Sequence, residues 1–346
     1  MAKNWTMTDI ALAAGVSQTT VSMVLNDVAH ARIAESTRER VLKVAEEMGY
    51  TKGPHFDAPG RNETRIVCML IDEVGMTQWY PPLLEGADEE ARAGNCLVAA
   101  YRTRCDPSIE AAAIAALSKN RLAGVLYATL TKRIVDLPEA LNGIPTVMLN
   151  CYSTSGEHLS VVSADLPAAY TATAALLQAG HRRIAHLAGD RWVVAGRERE
   201  QGYRQALLNW DIPVDSSLIL QGRGGRTFHD GREMTHHLLD LPQPPTAIFC
   251  YNDRTAIGAY EAIHARGLRI PDDISVVGFD NEVDLTSNSV PPLTTMVLPH
   301  EQMAREAVKM LLDIENIRSA SQHPRMIKVE CPIVLRESIG PPPKRS

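Results

Sequence analysis

The side chains near the start of the chain that are equipped for chemistry are hydrogen-bonding groups, not catalytic ones. Gln18 carries a carboxamide that can donate to and accept from one adenine edge at once, and the Thr19 methyl can pack on a thymine methyl. Ser22 and Asn26 recur on the same side at helical spacing, while Val21, Val24 and Leu25 fall on the other. Short polar side chains at the amino end of a helix are what a major-groove reader presents to phosphates and base edges. The same pattern would also suit a helical oligomerisation or protein-binding module, so spacing alone leaves both readings open.

Motifs for other chemistry are missing. There is no nucleophile elbow, P-loop or HExxH, and the glycines from Gly222 to Gly225 lack the spacing of a dinucleotide fingerprint. Six scattered cysteines, with no CxxC pair and no histidine at zinc-ligand spacing, read as reduced thiols. No enzymatic activity, cofactor or metal is therefore expected. The start, Met1-Ala2-Lys3-Asn4, does not resemble a secretion signal, and no apolar run has membrane-spanning length. The expectation is a cytoplasmic protein without a membrane partner.

The polar residues at 18–26 need a frame. Thr6 with Asp9 three positions on predicts a capped helix over Met7–Ala14, with Ile10 and Ala14 facing inward. Gly15 permits a left-handed turn, and Ser17 then caps a second helix, Gln18–Leu25. Val41, Leu42, Val44, Ala45 and Met48 predict a third, from about Ser36 to Met48. Three short helices joined by a glycine-containing turn can share one small core. Bulk charge does not help: residues 1–62 hold seven basic and seven acidic side chains, and the whole chain is −6. A DNA-binding role must rest on geometry.

Beyond residue 50 the composition shifts twice. Residues 51–64 are rich in Pro, Gly and polar groups and read as a linker. Residues 65–338 alternate short apolar runs with helical patterns. The runs are Arg65–Ile71, Cys96–Tyr101, Gly124–Ala128, Thr146–Leu149, Ile184–Leu187, Ala247–Tyr251 and Ser275–Phe279. Continuous apolar strands separated by helices predict parallel sheets covered on both faces, an α/β fold, and a body this long predicts two sheets.

The stretch from Thr8 to Asn26, TDIALAAGVSQTTVSMVLN, resembles the signature of the LacI/GalR repressor family. So do TRERVL at 37–42, MGY at 48–50, GHRRIA at 180–185, REQGY at 199–203, YND at 251–253, ISVVGFD at 274–280 and PPLTT at 291–295. The resemblance covers nearly the whole chain in order. It implies a three-helix helix-turn-helix domain over 1–50, a linker over 51–64, and a two-lobed, periplasmic-binding-protein-like α/β sensor domain over 65–338, with a tail over 339–346. The first lobe is expected at about 65–162 and 292–323, the second at about 163–291 and 324–338. Crossovers would fall near Ser163–Asp165, Val290–Pro292 and Arg325. The DNA-facing set expected is Thr8, Ser17, Gln18, Thr19, Thr20, Ser22, Asn26 and His30. Two departures stand out. Met23 occupies a position where the family usually carries Arg, and the linker holds Gly53, Pro54, Pro59 and Gly60 but no Leu for a minor-groove wedge.

An effector cleft between the lobes would draw on strand carboxyl ends. Trp79 and Tyr80 follow the first strand, Trp192 follows Ile184–Leu187, and Asn252 follows Ala247–Tyr251, while Phe279 and Asp280 end Ser275–Phe279. The aromatics can stack on a sugar face or a base. By resemblance, Arg199 is the family's effector-binding arginine, Asp280 the carboxylate that accepts ligand hydroxyls, and Asp165 an acidic position near the crossover. Plainer roles compete. The tryptophans can be core aromatics, Arg199 and Asp280 a structural pair, and Asp165 and Asp253 helix caps. Arg191, Arg197, Arg223 and Arg226 in the cleft would indicate an acidic ligand, whereas a carboxylate, an arginine and aromatic platforms suit a neutral sugar. The expectation is a repressor, homodimeric on double-stranded operator DNA, controlled by a small effector. That effector is a sugar, with a sugar phosphate or nucleobase as alternatives.

Overall fold

The computed structural model describes residues 5–25, 33–48, 64–74, 78–117, 121–222, 227–319 and 325–344. The chain divides into two units, Met1–Ala58 and Pro59–Ser346. The linker expected over 51–64 lies outside the described residues apart from Thr64.

In the first unit, α1 (Met7–Ala14) opens with the expected capping box. Asp9 N–H donates to Thr6 Oγ1 at 3.3 Å, and Thr6 N–H donates to Asp9 Oδ2 at 2.9 Å. Gly15 ends the helix at φ 65°, a conformation costly for any residue with a Cβ. Ser17 Oγ then accepts from Thr20 N–H at 3.1 Å to start α2 (Gln18–Leu25). Helix α3 (Glu35–Glu47) completes a core of Ile10, Ala14, Val21, Val24, Val41 and Ala45. Leu42, expected inside, is exposed, since position 42 points away from the Val41–Ala45 stripe.

The second unit runs β1 (Arg65–Ile71), α4 (Tyr80–Ala93), β2 (Cys96–Arg102), α5 (Pro107–Leu117), β3 (Leu122–Ile134), β4 (Thr146–Tyr152) and β5 (Leu159–Ser163). It continues through α6 (Asp165–Gln178), β6 (Ile184–Ala188), α7 (Val194–Asn209), β7 (Ile219–Gln221), α8 (Thr227–Leu239), β8 (Ala247–Cys250), α9 (Asp253–Ala265), β9 (Ser275–Asp280), α10 (Val283–Thr286) and β10 (Thr294–Val297). It closes with α11 (His300–Leu312), α12 (Ile314–Ser319), β11 (Met326–Val329) and β12 (Ile333–Val334). One sheet has the order β11-β5-β4-β3-β1-β2, all parallel, and the other β12-β10-β9-β8-β6-β7, parallel except for β12. Helices α4 and α11 bury apolar stripes against the first sheet, and α6 packs on α7 against the second.

Two expected lobe boundaries shift. Residues 294–297 pair with Val277–Asp280, so they extend the second sheet. The chain crosses after Val297, not near Val290–Pro292, because the prolines mark a turn while the hydrogen-bond ladder decides sheet membership. Residues 326–329 pair with Ser160–Ser163, so the last crossover follows Val329 instead of lying near Arg325. The expected tail is also partly built in. Gly340 N–H donates to Ser275 Oγ at 3.0 Å, and the buried His181 Nε2 lies 2.9 Å from Gly340 O.

Candidate effector cleft and DNA-reading helix

Close helix packing sets up the cleft. Gly202 on α7 faces α6, where a methyl group would run into the Leu166 carbonyl. Its absence lets α7 approach until Arg199 reaches Asp165, the first residue of α6. Arg199 Nε donates to Asp165 Oδ1 at 2.8 Å, and Arg199 Nη1 donates to Tyr251 O at 2.6 Å and Asp280 Oδ1 at 3.4 Å. The guanidinium carbon lies 3.5 Å from the Phe279 ring centroid and 4.8 Å from that of Tyr251. A fully buried cation is tolerable only when paired and hydrogen-bonded in this way.

Asp165 spends both oxygens internally. Oδ2 accepts from Ser163 Oγ at 2.5 Å and from Lys132 Nζ at 3.2 Å. Burial opposes its charge, but Arg199, Lys132 and Ser163 outweigh burial and hold the carboxyl below its usual range. Lys132, on the carboxyl end of β3, also donates to Ser163 O at 2.7 Å and to Glu198 Oε2 at 2.5 Å. Asp280 differs. Burial pushes its carboxyl well above the ordinary value; Arg199 opposes that shift, and Asp253 and Glu282 add to it. Its φ of 111° is unusual for a side-chain-bearing residue, a strain that tends to mark functional positions. Asp280 Oδ2 makes no hydrogen bond among the described residues.

These groups border a cavity of about 310 Å³ between the two lobes. Of the expected effector residues, Trp79, Trp192, Arg199, Asn252 and Asp280 line it. Asn252 Oδ1 also caps α9, accepting from Thr255 N–H at 2.9 Å, so the cap is Asn252 and not Asp253. Tyr80, Asp165 and Phe279 do not line the cavity. Tyr80 packs on the first-lobe core, Asp165 is enclosed by its ion pairs, and Phe279 lies beneath Arg199. Sequence reasoning missed Lys132, Asn150, Tyr251 and Arg254, which also line it. Tyr251 and Arg254 flank the flagged Asn252, a usable signal. Lys132 gave none, because β3 runs six residues past its expected end. Arg191 and Arg197 are exposed and do not line the cavity, and Arg197 Nη1 donates to the carbonyls of Arg191 and Trp192. Arg223 and Arg226 lie outside the described residues.

On α2, Gln18 and Thr19 are exposed, as is Ser17 just before it, and Thr20 and Ser22 are half-buried. Thr8 is exposed on α1, and Met23 is exposed beside the polar face. Asn26 and His30 lie outside the described residues. Helix α2 thus presents a short, uncharged hydrogen-bonding surface.

Residues 6–52 match the family model for bacterial regulatory proteins of the lacI family, and residues 173–339 match that for a periplasmic binding protein-like domain. The chain is 34% identical over 336 residues to the HTH-type transcriptional repressor CytR of Escherichia coli K12, covering 96% of each. Among solved structures it is similar to a transcriptional regulator CelR–cellobiose complex (28% identity, TM-score 0.65, 96% of this chain and 99% of that one). It is also similar to a regulatory protein of the LacI family from Chloroflexus aggregans (28% identity, TM-score 0.69, 80% and 98%).

Proposed function

Given that the chain belongs to the lacI family of bacterial regulatory proteins, a family of DNA-binding transcriptional repressors and not of enzymes, we propose that its operator affinity is set by a neutral sugar bound between the two lobes of Pro59–Ser346. The observation that carries this reading is the meeting of Arg199 and Asp280 with Trp79 and Trp192 in one cavity. A carboxylate and a guanidinium suit ligand hydroxyls, and indole rings suit the apolar face of a pyranose.

The charge pattern favours a neutral ligand over a phosphorylated one. Lys132 is paired with Asp165 and Glu198, Arg199 with Asp165 and Asp280, and Arg254 with Glu282 at 2.8 Å. Among the described residues, no lining cation is left uncompensated to receive a phosphate. The cellobiose bound by the CelR relative supports a sugar.

The working assembly is a homodimer, whose two-fold symmetry would match a near-palindromic operator read by Gln18 and Thr19. Effector occupancy would change operator affinity ~5- to 150-fold, the usual range of such coupling. The test is a thermal-shift screen of neutral sugars, sugar phosphates and nucleobases, followed by operator binding with and without each hit. A neutral sugar that raises the melting temperature and alters operator affinity is the expected result. Stabilisation by phosphorylated compounds alone, or a sugar that binds without changing operator affinity, would overturn it.

A further inference from the structure

The cleft does not end at Trp79. A second chamber of about 230 Å³ adjoins the first and shares three of its walls, Trp79, Asp280 and Leu298. It too lies between the lobes, with Gln78 and Pro82 on one side and Asn281 and Asp284 on the other. Trp79 is thus a wall common to both chambers.

The second chamber has its own chemistry. Gln78 supplies an amide, Asn281 an amide whose Oδ1 accepts from Arg336 Nη2 at 2.8 Å, and Asp280 and Asp284 supply carboxyl groups. Its one basic side chain among the described residues, His300, is held neutral near pH 7, because burial pulls its imidazole down to about 4. Hydroxyl groups satisfy such a lining, whereas an anion would meet two acidic side chains and, among the described lining residues, no cation. Two buried polar atoms of its wall residues, Trp79 Nε1 and His300 Nε2, lack hydrogen-bond partners among the described residues. Native proteins seldom leave such atoms unpaired. A ligand hydroxyl that tilts the indole would supply the missing partner.

We infer that the effector site is bipartite and takes a neutral disaccharide, with one sugar ring beside Arg199 and the second beyond Trp79. This inference rests on the reading of the cleft as a sugar site. A nucleoside also has two rings, but a base needs a flat slot, and the second chamber offers one aromatic wall and a polar rim.

Val283 provides the test. It lines the second chamber and not the first, and is 56% exposed, so a larger side chain there fills space without disturbing the core. Calorimetry on the full chain would compare neutral hexose disaccharides, their monosaccharide units and a set of nucleosides. At least one disaccharide should bind tenfold or more tightly than its monosaccharide. Val283→Trp should erase that advantage and leave monosaccharide affinity unchanged, and Asp284→Ala should weaken the disaccharide severalfold. Circular dichroism melting checks that both variants fold. Equal affinity for disaccharide and monosaccharide, or a disaccharide unaffected by Val283→Trp, refutes the second subsite while leaving the sugar reading intact. Binding of nucleosides with no sugar bound at all sinks both.

Discussion

Lys132 Nζ, on a strand of the first lobe, lies 2.5 Å from Glu198 Oε2, on a helix of the second. The ammonium also holds Ser163 O and Asp165, so its three donors are all engaged inside the protein. Burying a lysine costs several kcal/mol unless it is paired, and here the pairing spans the two lobes beside the cavity. Lys132→Met should lower body stability in urea unfolding by about 3–5 kcal/mol, the usual cost of breaking a buried pair. Small-angle scattering should also show a wider separation of the lobes. Unchanged scattering and stability would mean that the lobes are held by other contacts.

Asp280→Asn keeps the side-chain volume and tolerates the positive φ at this position. It replaces one acceptor oxygen with a donor. Effector affinity should fall about 10-fold, the order of one or two hydrogen bonds. Operator affinity without effector should stay at the parent value. Arg199→Ala should behave differently, because it strips the buried Asp165 and Asp280 of their cation. Its main effect should be a lower melting temperature, measured before any ligand is added.

The exposed Gln18 and Thr19 are expected to choose bases, not to anchor phosphates. Changing both to Ala should reduce discrimination between the operator and single-base variants by about 1–3 kcal/mol at the contacted positions. Competition binding at fixed salt measures this directly. A uniform loss across all sequences would assign these residues to backbone contacts.

His186 stacks between Tyr203 and Phe249, with ring centroids 5.2 and 4.6 Å away, and its Nδ1 lies 3.0 Å from Phe249 O. Burial depresses its imidazole to about 4, against 6.5 for the unfolded chain. Above pH 6.5 neither state is protonated, and the full stability is present. As pH falls below 6.5 the unfolded chain takes up a proton that the folded protein refuses, so stability is lost down to about pH 4. This one group should cost about 2 kcal/mol between pH 7 and pH 5. His186→Phe should therefore show a smaller drop in melting temperature over that interval than the parent. An equal drop in both would assign the acid sensitivity to other groups.

Features governed by neighbours in the chain were legible early. The Thr6–Asp9 cap, the left-handed Gly15 and the Ser17 cap each depend on groups within a few residues, and the helices they bound followed. Continuous apolar runs located the central strands. The short strands β5, β7, β10, β11 and β12 escaped, because two to five residues carry too little periodicity. In the cleft, Trp79, Trp192, Arg199, Asn252 and Asp280 were found from strand ends and family motifs. Asp165 was found as well, but its role was not, because a carboxylate's availability depends on what surrounds it.

Local pattern alone established a polar second helix on a three-helix core and a two-sheet α/β body with a carboxylate, Asp280, at a strand end, while Arg199 within α7 was marked by the family motif. Periodicity, capping and apolar runs are local quantities, and local order suffices to read them. Which charges are spent on one another and which face the cavity follows only from how distant segments pack. Lys132 and Glu198 stand 66 residues apart, and their pairing matters only because folding removes both from water. The same burial turns Asp165 from a candidate ligand group into the support of Arg199, and leaves the strained Asp280 lining the cavity.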